Sequence, residues 1–140
     1  MSVRNQDLQA IAPVLATFDI HQTSSVDDLK DANIGEPVTL TGSNEIGPIG
    51  DGELLLGKLI SLTLSDNDDS DRRATVQVGG ICRLDVSATV PSVGNHVVGG
   101  SAGTVKQAPA LAADDPAGGN VARGMVLAVN GSTDCVILLN

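Results

Sequence analysis

The first stretch whose residue types could do chemistry is Gly52-Glu-Leu-Leu-Leu-Gly57-Lys58, which has the spacing of a phosphate-binding loop. In such a loop, backbone amides and the lysine hold phosphate groups, and a following serine or threonine binds magnesium. Here the lysine is followed by Leu59, and the run 54–56 has the character of a strand. We therefore interpret the match as a coincidence of spacing.

A second candidate is the acidic run 65–71, in which the side-chain oxygens of Asp66, Asp68, Ser70 and Asp71 could attract calcium. A calcium loop of the EF-hand type needs glycine at its sixth position and glutamate at its twelfth. Counted from Asp66, those positions hold Asp71 and Gln77. We expect a solvated acidic turn, and the alternatives are a weak cation site or a docking patch for a basic partner.

The remaining reactive side chains are His21, His96, Cys82 and Cys135, and their spacing matches no metal-binding motif. Both cysteines lie in apolar runs, so we expect reduced core residues, and a disulfide between neighbouring strands is the alternative. We predict a protein that is not an enzyme and has no catalytic residues, no metal and no cofactor.

Charge and composition narrow the class of partner. The chain of 140 residues has 17 acidic and 8 basic side chains, a formal charge of −9 and one aromatic residue, Phe18. Nucleic-acid binding normally uses basic surfaces and stacking rings, so we expect no nucleic-acid partner. No signal pattern and no apolar run of membrane-spanning length is seen, so we expect a soluble protein without a membrane partner that stays where it is made.

The elements that must position these side chains are short strands. From Glu36 onwards a turn signal recurs about every ten residues, Gly79-Gly80 among them, and we count about eight strands with alternating polarity and no confident helix. The run 53–64 is predicted to be one long strand with a bulge or bend at Gly57. The sequence therefore predicts an all-β, single-domain sandwich or small barrel over residues 36–140.

The last strands form the clearest predicted unit. Two β-branched runs flank Asn130-Gly131, a pair that favours a two-residue type I′ hairpin turn. Residues 135–139 are apolar at consecutive positions, so both faces of that strand must be covered, by the core on one side and by another layer or another chain on the other. Val136 and Leu138 are therefore candidate contacts with another protomer or a partner.

Residues 1–35 differ from the rest and are predicted to be an N-terminal arm and connector. Pro13 interrupts any helix begun at Asp7. Two interpretations remain open: the segment packs on its own domain, or it extends as an arm onto a neighbouring chain and adds to a sheet edge. Its candidate contact residues are Leu8, Ile11, Val14, Leu15 and Phe18.

A resemblance extends over residues 53–140. The segments Gly57-Lys-Leu-Ile-Ser, Ala74-Thr-Val-Gln-Val-Gly-Gly-Ile81, Val90-Pro-Ser-Val-Gly94-Asn-His-Val-Val and Gly124-Met-Val-Leu-Ala-Val resemble the head decoration, or cement, proteins of tailed bacteriophages. In that group a strand T-V-x-V-x-G-I/V, a turn and strand P-x-x-G-x-x-V and a C-terminal hairpin recur. The group has no catalytic residues to carry over.

The resemblance implies a β-sandwich of jelly-roll type that binds the outside of the assembled head and bridges major capsid protein subunits. It implies a homo-oligomer, for which we favour a dimer over a trimer because two-fold assemblies are the commonest. The location implied is the outer surface of the virion capsid, after synthesis in the bacterial host cytoplasm. The alternatives are a tail or neck subunit of a phage particle and a free-standing β-sandwich binding module.

Overall fold

The computed structural model describes residues 13–63, 72–87, 89–110 and 122–139. Within these ranges the regular elements are strands and one 3-10 turn, Asp31–Asn33, so the prediction of an all-β chain is confirmed. The strands are β1 (Val14–Ile20), β2 (Gln22–Thr23), β3 (Val26–Asp27), β4 (Pro37–Gly42), β5 (Glu45–Pro48), β6 (Gly57–Leu62), β7 (Arg73–Asp85), β8 (Val97–Gly99), β9 (Val105–Gln107), β10 (Met125–Asn130) and β11 (Asp134–Leu139).

Five of these strands close into a ring. The sheet order runs β1-β5-β4-β6-β7, and β7 pairs back onto β1. The β1–β5 contact is parallel, whereas the other contacts of the ring are antiparallel. A closed ring buries the inward side chains of its strands around one axis. The core inside it consists of Ile20, Leu29, Val38, Ile46, Leu59, Ala74 and Val76.

The long strand β7 carries the chain from this barrel into a second core. Its first half belongs to the ring, whereas residues 80–85 pair with β11, which pairs with β10. The β8–β9 hairpin packs beside these strands. The second core consists of Ile49, Leu55, Cys82, Leu84, Val86, Val97, Val105, Val126, Cys135, Ile137 and Leu139.

The prediction that Gly79-Gly80 turns the chain is wrong, because both residues lie inside the 13-residue strand β7. Gly80 has a φ of 88°, a backbone conformation that favours glycine, at the point where the strand passes between the two cores. The side chain of Gln77 is hydrogen-bonded to the backbone on either side of Gly80. Its Nε2 donates to the carbonyl oxygens of Gly79 and Ile81, at 3.1 Å each.

The predicted jelly-roll sandwich is not clearly present, because the ring closes through β1 and β7 instead of forming two facing sheets. The strand that closes it comes from the predicted N-terminal arm. Residues 14–19 of β1 pair with β7, and Asp19 and Ile20 pair with β5. From Val14 onwards the segment therefore packs on its own domain, which is the first of the two interpretations above.

The C-terminal hairpin is present, but the predicted two-residue turn is wrong. Asn130 pairs with Asp134, and the three residues between them form the turn. Gly131 has a φ of 55°, whereas Asn130 does not adopt the positive φ that a type I′ turn would need there. Both faces of β11 are covered as expected, and the cover lies within the chain, since Val136 and Ile137 are each 0% exposed.

The predicted long strand 53–64 begins only at Gly57. A Cβ atom at Gly57 would lie 2.0 Å from the carbonyl oxygen of Gln77, so this position accepts the approach of β7 only as glycine. The register slips between Leu59 and Ser61, which places the irregularity of β6 at Ile60 instead of Gly57.

Candidate interaction surfaces

The N-terminal half of β1 combines exposed apolar side chains with an open backbone edge. The side chains of Val14 and Leu15 are 56% and 52% exposed. On one side the strand pairs with β7 along its length, whereas on the other side β5 reaches only Asp19 and Ile20. Among the described residues, no strand lies beside residues 14–18 on that second side.

The direction of the backbone groups on β1 follows from the hydrogen bonds made at its C-terminal end. The amides of Asp19 and His21 donate to the carbonyl oxygens of Asn44 and Ile46, at 2.9 and 2.8 Å, on the β5 side. Because alternate residues of a strand direct their backbone groups to the same side, Leu15 and Thr17 also direct theirs toward the β5 side. These are the positions at which the edge of β1 is open.

The other predicted contact residues are distributed differently. Phe18 is half-buried and packs against the barrel core. Val136 is fully buried inside its own chain, so its prediction as a contact with another chain is corrected, because it offers no surface. Leu138 is half-buried and lies directly opposite Met125, which is 38% exposed. Leu8 and Ile11 lie outside the described residues.

One ion pair lies on the same face of β11 as Leu138. The Nε of Arg83 lies 3.7 Å from Oδ1 of Asp134, which is too far for a hydrogen bond. Both atoms are buried and have no hydrogen-bond partner among the described residues, and the same is true of Nη2 of Arg83. Sequence analysis did not identify this pair, because it depends on the register between β7 and β11.

A polar groove lies at the end of the barrel where β1 meets the β2–β3 hairpin. It has a volume of about 540 Å³. Its lining contains two carboxylates, two guanidinium groups and one imidazole, and consists of Asp19, Ile20, His21, Gln22, Glu45, Arg72 and Arg73. Arg73 Nη1 contacts Asp19 Oδ1 at 2.7 Å, and Thr41 Oγ1 donates to Glu45 Oε1 at 2.9 Å.

The imidazole of the groove is held by a carboxylate. His21 Nδ1 lies 2.7 Å from Oδ2 of Asp28. This hydrogen bond raises the pKa of His21 above its ordinary 6.5, and the charges of Asp28 and Glu45 add to the effect. The same bond lowers the pKa of Asp28 below its ordinary 3.8. The pair therefore carries an ionic hydrogen bond at pH values between the lowered pKa of Asp28 and the raised pKa of His21.

The wall of the groove is fixed by the buried carboxylate of Asp27, which is 2% exposed. It accepts from Nε2 of Gln22 at 3.0 Å and from the backbone amide of Arg72 at 3.2 Å. The guanidinium of Arg72 donates to the Thr63 carbonyl oxygen at 2.7 Å and to Asp31 at 2.8 Å. These bonds attach the β2–β3 hairpin to the barrel and set the shape of the groove.

The two thiols are reduced core residues, as predicted. Cys82 and Cys135 are unbridged and buried. Burial raises the pKa of Cys82 to about 11 and that of Cys135 to about 12. Because Ile137 pairs with Cys82 and Cys135 pairs with Leu84, the two thiols are diagonal neighbours on one face of the sheet.

The other candidate sites have the following outcomes. Lys58 lies on β6, a strand, so the phosphate-loop spacing of Gly52 to Lys58 lacks the helix that such a loop requires. Within the described ranges, no group of three His, Cys, Asp or Glu side chains could hold a metal ion. The acidic run 65–71 lies outside the described residues. His96 directly precedes β8, and its Nδ1 contacts the Gly124 carbonyl oxygen at 2.5 Å.

Comparison with known proteins finds no matching family, no matching curated protein and no matching solved structure. Across the described part of the chain, no helix is long and apolar enough to cross a membrane.

Proposed function

We propose that this chain is a structural protein of a tailed-bacteriophage particle, which binds the outside of the assembled head and bridges major capsid protein subunits. The observation that carries the proposal is the exposure of Val14 and Leu15 on a strand whose neighbours enclose a packed barrel. The unpaired backbone groups of an open strand edge are a template for pairing with another chain, and apolar side chains exposed beside them add contact area. The sequence resemblance of residues 53–140 supplies the class of partner.

The mechanism is binding thermodynamics. A protein that binds the expanded head and not its dissociated subunits stabilises the head by mass action. Many weak contacts repeated over a lattice give a large total attachment. The acidic chain, with its formal charge of −9, would be attracted to basic patches on the capsid exterior.

The proposal includes a homo-oligomer, with a dimer favoured, located on the outer capsid surface of the virion after synthesis in the bacterial cytoplasm. The resemblance also implies a jelly roll. The proposed role does not depend on that arrangement, because the open edge of β1 belongs to the ring of strands described above.

A second candidate is a free-standing binding module, which the polar groove of about 540 Å³ favours. Quantitative mass spectrometry of purified virions separates the candidates. A cement protein is present in hundreds of copies per particle, and a tail or neck subunit is present in tens. Absence of the chain from virions would exclude both and leave the binding module.

A further inference from the structure

The open edge of β1 has the properties of a receptor for an extended polypeptide. Leu15 and Thr17 direct their amides and carbonyls away from β7, and the β4–β5 turn ends beside Asp19. An incoming strand could therefore exchange backbone hydrogen bonds with both residues while its side chains contact Val14 and Leu15. Addition of a strand to an exposed sheet edge is a common mode of peptide recognition.

The size of the edge decides which occupant it fits. Stable dimers bury about 800 Å² per partner, supplied by roughly 20–30 residues on each side. The open part of β1 has five residues, Val14 to Phe18, so two copies held by this contact alone would separate. A contact this small becomes effective when a lattice repeats it many times.

The charge at one end of the open edge indicates which kind of residue the incoming strand carries there. In the parallel β1–β5 pair, Asp19 lies opposite Glu45, at the end of the open edge next to the groove. The cations of the groove each have a carboxylate partner other than Glu45: Arg73 contacts Asp19, Arg72 contacts Asp31, and His21 contacts Asp28. The remaining negative charge favours a lysine or arginine on the incoming strand. The opposite end, at Pro13 and Val14, is uncharged.

We propose that Leu15 and Thr17 pair with an extended segment of a partner protein, which has alternating apolar side chains and a basic residue beside Glu45. The inference rests on the proposed function for the identity of that partner, a subunit of the head lattice. The strand-receiving edge itself can be tested without it.

The test uses the full chain labelled with ¹⁵N and the synthetic peptide acetyl-Thr-Val-Thr-Val-Thr-Lys-amide as the probe. The peptide should shift the amide resonance of Leu15 with a dissociation constant on the order of 1 mM. A version of the peptide with N-methylated backbone amides should cause no shift, because it cannot donate to the edge. Shifts confined to the groove around His21, or no shifts at all, would overturn the proposal.

Matched variants test which backbone amides of β1 face the incoming strand. Thr17→Pro removes an amide that faces away from β7 and pairs with no strand among the described residues, so the fold should survive while peptide affinity falls about tenfold or more. Thr17→Val keeps the amide and should bind as the wild type does. Ala16→Pro removes an amide directed at β7 and should destabilise the barrel. Equal binding by Thr17→Pro and Thr17→Val would refute the pairing.

The basic end is tested by Glu45→Gln, which should weaken binding of the lysine peptide two- to fivefold, with little effect on a peptide that ends in norleucine. Equal loss with both peptides would refute the charge contact. On virions, Thr17→Pro should lower the copy number and Thr17→Val should not. If virions lack the wild-type chain, the proposed function fails, whereas the peptide titration still decides the edge.

Discussion

Arg123 donates from Nη2 to the carbonyl oxygen of Val78, at 2.6 Å. Val78 packs against the barrel core, whereas Arg123 lies beside β8 at the second core. The other arm of the guanidinium, Nη1, donates to the carbonyl oxygens of Leu55 and Leu56, ahead of β6. One side chain thus connects both halves of the domain.

We expect Arg123→Met to lower the free energy of unfolding by about 2–4 kcal/mol, because the partly buried carbonyls lose a charged donor. Arg123→Lys should recover part of the loss. Urea unfolding measures the effect. The control is Arg73→Met, which removes an exposed ion pair with Asp19 and should change stability by less than about 1 kcal/mol. Equal losses at both positions would contradict the connecting role of Arg123.

Gly57→Ala should destabilise the chain by about 1–3 kcal/mol, because the new methyl group must displace the backbone of β7 at Gln77. The control is Gly42→Ala, where the added Cβ would meet the movable end of the Glu45 side chain at 3.2 Å. Thermal unfolding of both variants checks the difference. If the Gly57→Ala protein were as stable as the Gly42→Ala protein, the close approach of Gly57 to the backbone of Gln77 would be contradicted.

The His21–Asp28 pair should make stability depend on pH. Since the folded pKa of His21 is raised, its contribution is complete below pH 6.5 and is lost as pH rises through the folded value. The folded pKa of Asp28 is lowered, so its contribution is present above 3.8 and is lost as pH falls through the folded value. The pair should therefore stabilise the fold most between these two limits.

An NMR titration of the His21 ring should give a pKa above 6.5 in the wild type and a lower one in Asp28→Asn. Glu45→Gln should lower it less, because that carboxylate acts through space alone. The positive charge of Lys30 also helps to lower the pKa of Asp28. The variant Lys30→Gln therefore serves as a control that removes this charge and keeps the His21–Asp28 hydrogen bond. A His21 pKa unchanged by Asp28→Asn would contradict the hydrogen bond.

Cys82 and Cys135 should resist a thiol reagent such as dithionitrobenzoate at pH 8, because burial and the raised pKa of each thiol suppress the reactive thiolate. Two thiols per chain should react in denaturant. Cys82→Ala and Cys135→Ala, measured singly, assign any residual reaction. Rapid native labelling at Cys82 alone would indicate that the second core opens locally near β7.

Local patterns in the sequence predicted some elements and missed others for identifiable reasons. The alternation of apolar and polar residues in 74–78 and 82–86 correctly indicates β-structure, and its apolar members Ala74, Val76, Cys82, Leu84 and Val86 are buried. Gly79-Gly80 has the composition of a turn, yet pairing with β1 and β11 keeps both residues in one strand. Composition reports local preference, whereas the continuity of β7 is decided by its neighbours.

The predicted contact residues differ in their exposure. Val14 and Leu15 were predicted to contact another chain, and the structure shows that both are exposed. Val136 was identified by the same apolar signal, yet it is covered by its own chain. An apolar run cannot distinguish a residue buried by its own fold from one awaiting a partner. The groove was not predicted, because its residues come from β1, β2, β5 and the segment around the start of β7, which are distant in sequence.

The closure of the barrel through β1 also bears on how the chain reaches its native state. The first strand of the ring, at Leu15, finds its antiparallel partner at Gln77, after β4, β5 and β6 have been synthesised. Such distant pairing makes folding slow compared with that of helical domains. During translation β1 therefore stays unpaired until β7 has been synthesised. A chaperone that shields the exposed apolar side chains of β1 in that interval would raise the yield of soluble protein.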